Sequence, residues 1–128
     1  MHTAIGYTNE AIADSKGDWL YVNETFARRL SRFPVAADGT LLLSWIEPRG
    51  EGHVLRFARH GADGWSTPRA IASGDDWFVN WADTPHLAAT ADGALWAHWL
   101  RKSAAATYAY DVVLTRSADG GHTWSDPV

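Results

Sequence analysis

The chain repeats itself. Residues 33–47 read FPVAADGTLLLSWIE and residues 87–101 read LAATADGALWAHWLR. Each passes from an apolar stretch through Ala-Asp-Gly into a second apolar stretch with Trp near its end. Downstream, Gly64-Trp65-Ser66-Thr67-Pro68 finds its match in Thr123-Trp124-Ser125-Asp126-Pro127. The offset is 54 residues from Ala37 to Ala91 and 59 from Trp65 to Trp124, and the difference falls in the intervening loops and turns. A repeat of this period implies one supersecondary unit stacked on a copy of itself, because a single unit cannot bury its apolar face alone.

The composition of the unit selects strands. Asp-Gly between apolar stretches is a two-strand turn signal: Gly takes positive φ at little cost, and the Asp side chain accepts from backbone N–H groups just ahead. Val, Ile, Thr and aromatic residues favour the pleated surface on either side. The expected fold is all-β, each unit having four strands. In the first copy they lie near 33–37, 40–47, 53–59 and 66–72. In the second they lie near 86–90, 95–100 and 109–116, with a last strand starting at Trp124 and cut off at Val128. Residues before Leu30 read less clearly. Trp19-Leu20-Tyr21-Val22 is a strand of either a preceding unit or a closing one, and residues 24–30 could instead make a helical turn. The expected divisions are an N-terminal segment (1–29), a first unit (30–73), a crossover (74–84) and a second unit (85–128).

Ser117-Ala118-Asp119-Gly120-Gly121-His122-Thr123-Trp124 fits Ser-x-Asp-x-Gly-x-Thr-Trp at every specified position. Ser117 and Thr123 can bond the turn that Asp119 and the glycines make, and Trp124 supplies apolar surface to anchor it. Ala62-Asp63-Gly64-Trp65 is a shortened version without the Ser and Thr. The motif resembles the Asp-box (BNR repeat) of sialidases and related β-propellers, and the chain resembles uncharacterised bacterial sialidase-like proteins. The resemblance implies about two four-stranded blades of a six-bladed propeller. Ser117, Asp119, Gly121, Thr123 and Trp124 then carry a structural role. Two blades do not close a ring, so the chain is either a portion of a longer protein or a module whose copies complete one, as a trimer if the ring has six.

The bulk numbers exclude some functions. A net charge of −4 over 128 residues argues against a general nucleic-acid or anionic-membrane binder. No apolar run is long enough for a membrane-spanning helix. The first residues lack the basic and apolar regions of a signal peptide, although relatives of this type are often exported. Zero Cys excludes disulfides and thiolate metal sites, and the six His form no metal-like cluster, so no cofactor is expected. Eight Trp suit either a fold that plugs sheets together with aromatics or a surface that binds sugar.

Blade topology puts the two Ala-Asp-Gly turns and the Asp-box at one end of the sheets. The hairpins after the second strand and the crossovers lie at the other end, which in sialidases carries the active site. Three segments there are candidates. Ser31-Arg32-Phe33-Pro34 resembles the sialidase Arg-Ile-Pro motif, whose Arg grips the substrate carboxylate, a task suited to a guanidinium fork. Phe replaces the middle residue, and the stretch from Arg32 to the Asp38 turn is short for the family. Arg32 could equally be a solvated charge. Glu47-Pro48-Arg49 stands where sialidases continue to Glu-x-Arg, which makes Arg49 a substrate-binding candidate.

The second candidate is the crossover Gly74-Asp75-Asp76-Trp77-Phe78-Val79-Asn80-Trp81-Ala82-Asp83. Trp77 and Trp81 could stack on sugar rings while Asp75, Asp76 and Asn80 bond hydroxyls, and adjacent carboxylates could raise one pKa for acid catalysis. Alternatively the Trp residues plug the units together and the Asp residues cap turns. The third is the pair of hairpins, with Arg49, Glu51 and His53 in one and Arg101, Lys102, Tyr108 and Tyr110 in the other. Glu51 stands where the resemblance calls for a catalytic Asp, and it could equally be a solvated hairpin charge. The expected function is a portion of a glycoside hydrolase acting on terminal acidic sugars, inactive as this chain alone. The alternatives are a non-catalytic glycan- or protein-binding propeller, or the self-assembling module. Carbohydrate is the expected ligand, and the remaining blades or further copies are the expected partners.

Overall fold

A computed structural model describes residues 8–13, 16–24, 29–36, 38–80 and 86–128. The described residues form antiparallel strands and no helix. The first sheet contains β1 (Thr8–Ala13), β2 (Trp19–Glu24) and β3 (Arg29–Pro34) in that order. The second contains β4 (Leu41–Arg49), β5 (Gly52–Gly61), the short β6 (Gly64–Trp65) and β7 (Arg69–Gly74), with β6 and β7 both paired to β5. The third contains β8 (His86–Ala89), β9 (Leu95–Lys102) and β10 (Tyr110–Ser117), with β9 central. Beyond the last turn, Ser125 donates its N–H to the Arg116 carbonyl, and Leu114 and Val128 exchange backbone bonds of 2.9 and 3.0 Å. The C-terminal residues thus run beside β10.

The two copies of the repeat become the second and third sheets, and their turns are built alike. Asp38 Oδ1 accepts from the Thr40 N–H at 3.1 Å, and Asp92 Oδ1 accepts from the Ala94 N–H at 3.2 Å. Gly39 and Gly93 follow with φ of 81° and 82°, a region that L side chains avoid. Each Asp also faces an Arg from the neighbouring long strand, Asp38 to Arg59 at 3.9 Å and Asp92 to Arg116 at 3.3 Å. Each of those arginines donates its backbone N–H to a serine hydroxyl after the next turn, Ser66 or Ser125.

One expected strand divides its pairing. The stretch near residues 33–37 does not pair with β4 along its length. Arg29–Pro34 pairs with β2, and only Val35 bridges to Leu41. Val35 donates to the Asp18 carbonyl in the first sheet, whereas Ala36 donates to the Thr40 carbonyl in the second. The switch sits at Pro34, which has no N–H to continue a ladder. Glu24 ends β2 and Arg29 begins β3, so the ends of the possible helical turn are extended. Residues 25–28 lie outside the described residues.

Period-two burial places the core. In β9, Leu95, Ala97 and Trp99 are buried while Trp96, His98 and Leu100 are half-buried. In β10, Val113, Thr115 and Ser117 lie across from them. This face packs on Leu42, Leu55, Phe57 and Ile71 of the second sheet, with Ala36, Trp77 and Leu87 completing the cluster. Burying each such Leu or Phe contributes about 1.5–3 kcal/mol. The opposite face of the third sheet carries Val112, which is 63% exposed.

Candidate functional site

The two ends of the sheets carry different turns and loops. One carries the turns at Asp38 and Asp92 and the 117–124 motif. The other carries the β4–β5 hairpin, the β9–β10 loop and the start of the crossover. At this second end the crossover lies along β9, continuing the edge that β8 occupies further down. Lys102 donates its N–H to the Asp76 carbonyl at 2.7 Å, Phe78 donates to the Leu100 carbonyl at 3.0 Å, and Trp77 bridges Arg101. The β4–β5 hairpin approaches so closely that a Cβ on Gly52 would overlap the Gly74 carbonyl oxygen and lie 2.9 Å from Asp75 Cα.

A cleft of about 520 Å³ opens here. Its walls are His53 from β5, Phe78 and Val79 from the crossover, and Lys102 with residues 104–107 of the β9–β10 loop, while Trp77 reaches it from the core. Phe78 stacks on Tyr110, with centroids 4.6 Å apart and planes at 17°, and meets Tyr108 edge-on at 6.3 Å. Tyr108 is 81% exposed, an unusual state for a large aromatic ring. Lys102 makes no ion pair among the described residues, and His53 Nδ1 is buried there without a hydrogen-bond partner. The cleft therefore offers aromatic faces, one uncommitted cation and an imidazole.

The sequence candidates are distributed unevenly around it. Trp77 is only 5% exposed and packs against Trp99 at 5.3 Å, so its bulk plugs the core. Asp75 and Asp76 are exposed, and Asp76 Oδ2 lies 3.8 Å from Arg101 Nε. Asn80 is half-buried at the end of the described crossover, and Trp81 lies outside the described residues. Arg49 and Glu51 are exposed around the β4–β5 turn and are not among the cleft's lining residues. Glu47 is held by Arg56 and Trp45 rather than turned to a ligand. Arg32 is placed by its backbone alone, on β3 opposite Tyr21. Phe78, Val79 and residues 104–107 carried no separate signal in the sequence, since a cleft between two loops depends on where the loops pack.

At the opposite end, the 117–124 motif forms a closed hydrogen-bond system. Ser117 Oγ donates to Asp119 Oδ1 at 2.7 Å and accepts from the Gly121 N–H at 2.8 Å. Asp119 also accepts from the His122 N–H, the Thr123 N–H and the Thr123 hydroxyl, the last at 2.6 Å. The turn seats on the second sheet, where Trp124 meets Phe57 edge-on at 5.9 Å and Arg59 Nη2 donates to the Gly120 carbonyl at 3.3 Å.

The Thr123 hydroxyl and amide, followed by the Ser117 hydroxyl, hold the Asp119 carboxyl well below the usual carboxylate range. A depressed folded-state pKa contributes stability above the unfolded value, about pH 4, and that contribution is lost as pH falls toward the folded pKa. Asp38 and Asp92 are lowered in the same sense, chiefly by the hydroxyls of Thr40 and Thr90. Stability should therefore decline on acidification below about pH 4, and Asp119→Asn should flatten the decline. Urea midpoints at neutral pH and at about pH 3 test this; an unchanged pH slope in the variant would remove Asp119 from the account.

No helix of the described residues is long and apolar enough to cross a membrane, and no group of His, Cys, Asp or Glu among them could hold a metal ion. No protein-family model, curated protein or solved structure matches this chain.

Proposed function

We propose that the chain is a portion of a sialidase-like β-propeller, that its second and third sheets are neighbouring blades, and that the cleft binds carbohydrate with a preference for acidic sugars. The matched turns, the antiparallel strand order and the 117–124 turn seated between the sheets support the blade reading. Val112, exposed on the outer face of the third sheet, is what a further blade would cover. The observation that carries the binding reading is the cleft itself. Phe78 in the lining offers a face for a sugar ring, Tyr108 stands exposed beside it, edge-on to Phe78, and Lys102 stands ready for a carboxylate. The complete protein is then a glycoside hydrolase of terminal acidic sugars, with Arg32 assisting from the first sheet.

A non-catalytic binder is the second reading. It is favoured by the positions of Glu51, Asp75 and Asp76, which are exposed and absent from the cleft lining. General acid catalysis needs a carboxyl within hydrogen-bond reach of the leaving oxygen. Turnover of a fluorogenic sialoside by a chain carrying all blades separates the two.

Binding is tested on this chain by calorimetric titration with N-acetylneuraminic acid and with its methyl ester, which lacks the charge. The acid should bind more tightly than the ester, and Lys102→Met should erase the difference. Tyr108→Ala should weaken both by about tenfold, because aromatic contact with a ligand is worth on the order of 1 kcal/mol or more. Its unfolding midpoint should stay within about 0.5 kcal/mol of the parent, since the ring is exposed. Equal affinity of acid and ester would refute the acidic-sugar preference, and no binding of either would refute the carbohydrate site.

A further inference from the structure

We infer a second binding site, for a tetrahedral oxyanion of the phosphate or sulfate class, at the end of the sheets opposite the cleft. A pocket of about 270 Å³ lies there, lined by Phe57, Arg59, Ser66, Arg69, Gly120 and His122. The second sheet and the connection between its β6 and β7 supply the first four, and the 117–124 turn supplies the last two. In a chain of net charge −4 this pocket gathers two guanidinium groups and an imidazole.

Arg59 is aimed by its surroundings. Its side chain is 27% exposed, Nη2 donates to the Gly120 carbonyl at 3.3 Å, and Nη1 reaches Thr40 Oγ1 at 3.5 Å and Asp38 at 3.9 Å. The equivalent Arg116 is held by a closer ion pair, Asp92 at 3.3 Å, and lies over the Trp96 ring at 5.7 Å. Arg69 has no acidic partner among the described residues. His122 Nδ1 donates to the Asp119 carbonyl at 2.6 Å, so Nε2 is the ring nitrogen left to the pocket, and it donates to an oxyanion only when the ring carries both protons. Ser66 is already used, since its hydroxyl accepts from the Arg59 N–H and donates to the Thr67 carbonyl. The Asp119 carboxylate oxygens are taken up by its own turn, so they do not compete for the pocket's donors.

Two guanidinium groups from separate positions supply several N–H donors around a single space. That set suits the oxygens of a phosphate or sulfate monoester better than the two oxygens of a carboxylate.

The test is titration of the full chain with inorganic phosphate and, separately, inorganic sulfate, followed by backbone amide shifts, with acetate as the control. Saturable binding is expected, with shifts at Gly120 and His122. Acetate should bind at least about tenfold more weakly, and Arg69→Ala should reduce affinity about tenfold or more, as loss of a charge-assisted bond does. Arg69→Lys should recover part of it. The anion that saturates at the lower concentration identifies the source as a phosphate or a sulfate ester. Arg69 is exposed and does not line the sugar cleft, so the variant should keep the parent's unfolding midpoint and sugar affinity. Absence of saturable binding by both anions, acetate binding as tightly as they do, or unchanged affinity in Arg69→Ala would each overturn the site, whatever the sugar titration shows.

Discussion

Replacing Gly121 with alanine is expected to cost about 2–5 kcal/mol of folding stability, a large part of what a domain of this size has. Two effects add. Gly121 has φ of +87°, where an L side chain costs about 1–2 kcal/mol. Its new Cβ would overlap Phe57 Cζ and lie 2.9 Å from Cε1, and forcing such an atom into a filled core costs about 1–3 kcal/mol more. Phe57 cannot yield easily, because it is 2% exposed and braced edge-on by Trp124. Gly120 is the internal control. Its φ is +71°, but an added Cβ meets only the far end of Arg59 at 3.4 Å. Gly120→Ala should therefore lose only the backbone component, about 1–2 kcal/mol. Urea unfolding followed by Trp fluorescence measures both, and equal losses would show that the Phe57 contact is not what makes Gly121 necessary.

Trp77→Ala should destabilise the fold by about 3–5 kcal/mol, as truncation of a buried Trp usually does. The ring packs against Trp99, and its backbone bridges Arg101 at the point where the crossover joins β9. Removing it opens a cavity in the core and frees the strip that carries Phe78, so sugar binding should fall as a consequence. Trp77→Phe retains most of the apolar contact and should lose about 1–2 kcal/mol. The result also separates the two roles that the crossover's composition allowed. A residue acting only as a sugar platform would lose affinity on truncation while keeping its urea midpoint. A parent-like midpoint for Trp77→Ala would therefore contradict its role as a plug.

These two residues show how far local reading reaches. The glycines of the 117–124 motif are legible as turn residues, because Asp-Gly-Gly before Thr-Trp describes a tight, hydrogen-bonded reversal. That Gly121 must also be small for Phe57 is not legible, since the two lie far apart in sequence and meet only when the sheets stack. The crossover was readable as rich in aromatics and carboxylates, but the same letters serve a core and a binding surface. Packing distributes them: Trp77 goes inside, Phe78 stacks on Tyr110, and Asp76 turns to Arg101. Lys102 and His53 stood among the hairpin candidates without anything to rank them above Arg49 or Glu51. The approach of the crossover to β9 brings the first two to the cleft and leaves the others on the exposed turn.

The amino-acid sequence by itself determined the all-β class, the doubled unit and the two Asp-Gly turns. All of these follow from contacts within a few residues or from the period-two geometry of a strand. Tertiary structure decided the change of partner at Pro34, the seat of the 117–124 turn on Phe57, the split between core and cleft in the crossover, and the gathering of Arg59, Arg69 and His122 around one pocket. Each of those depends on the distance between segments remote in the chain, which sheet pairing and core packing set.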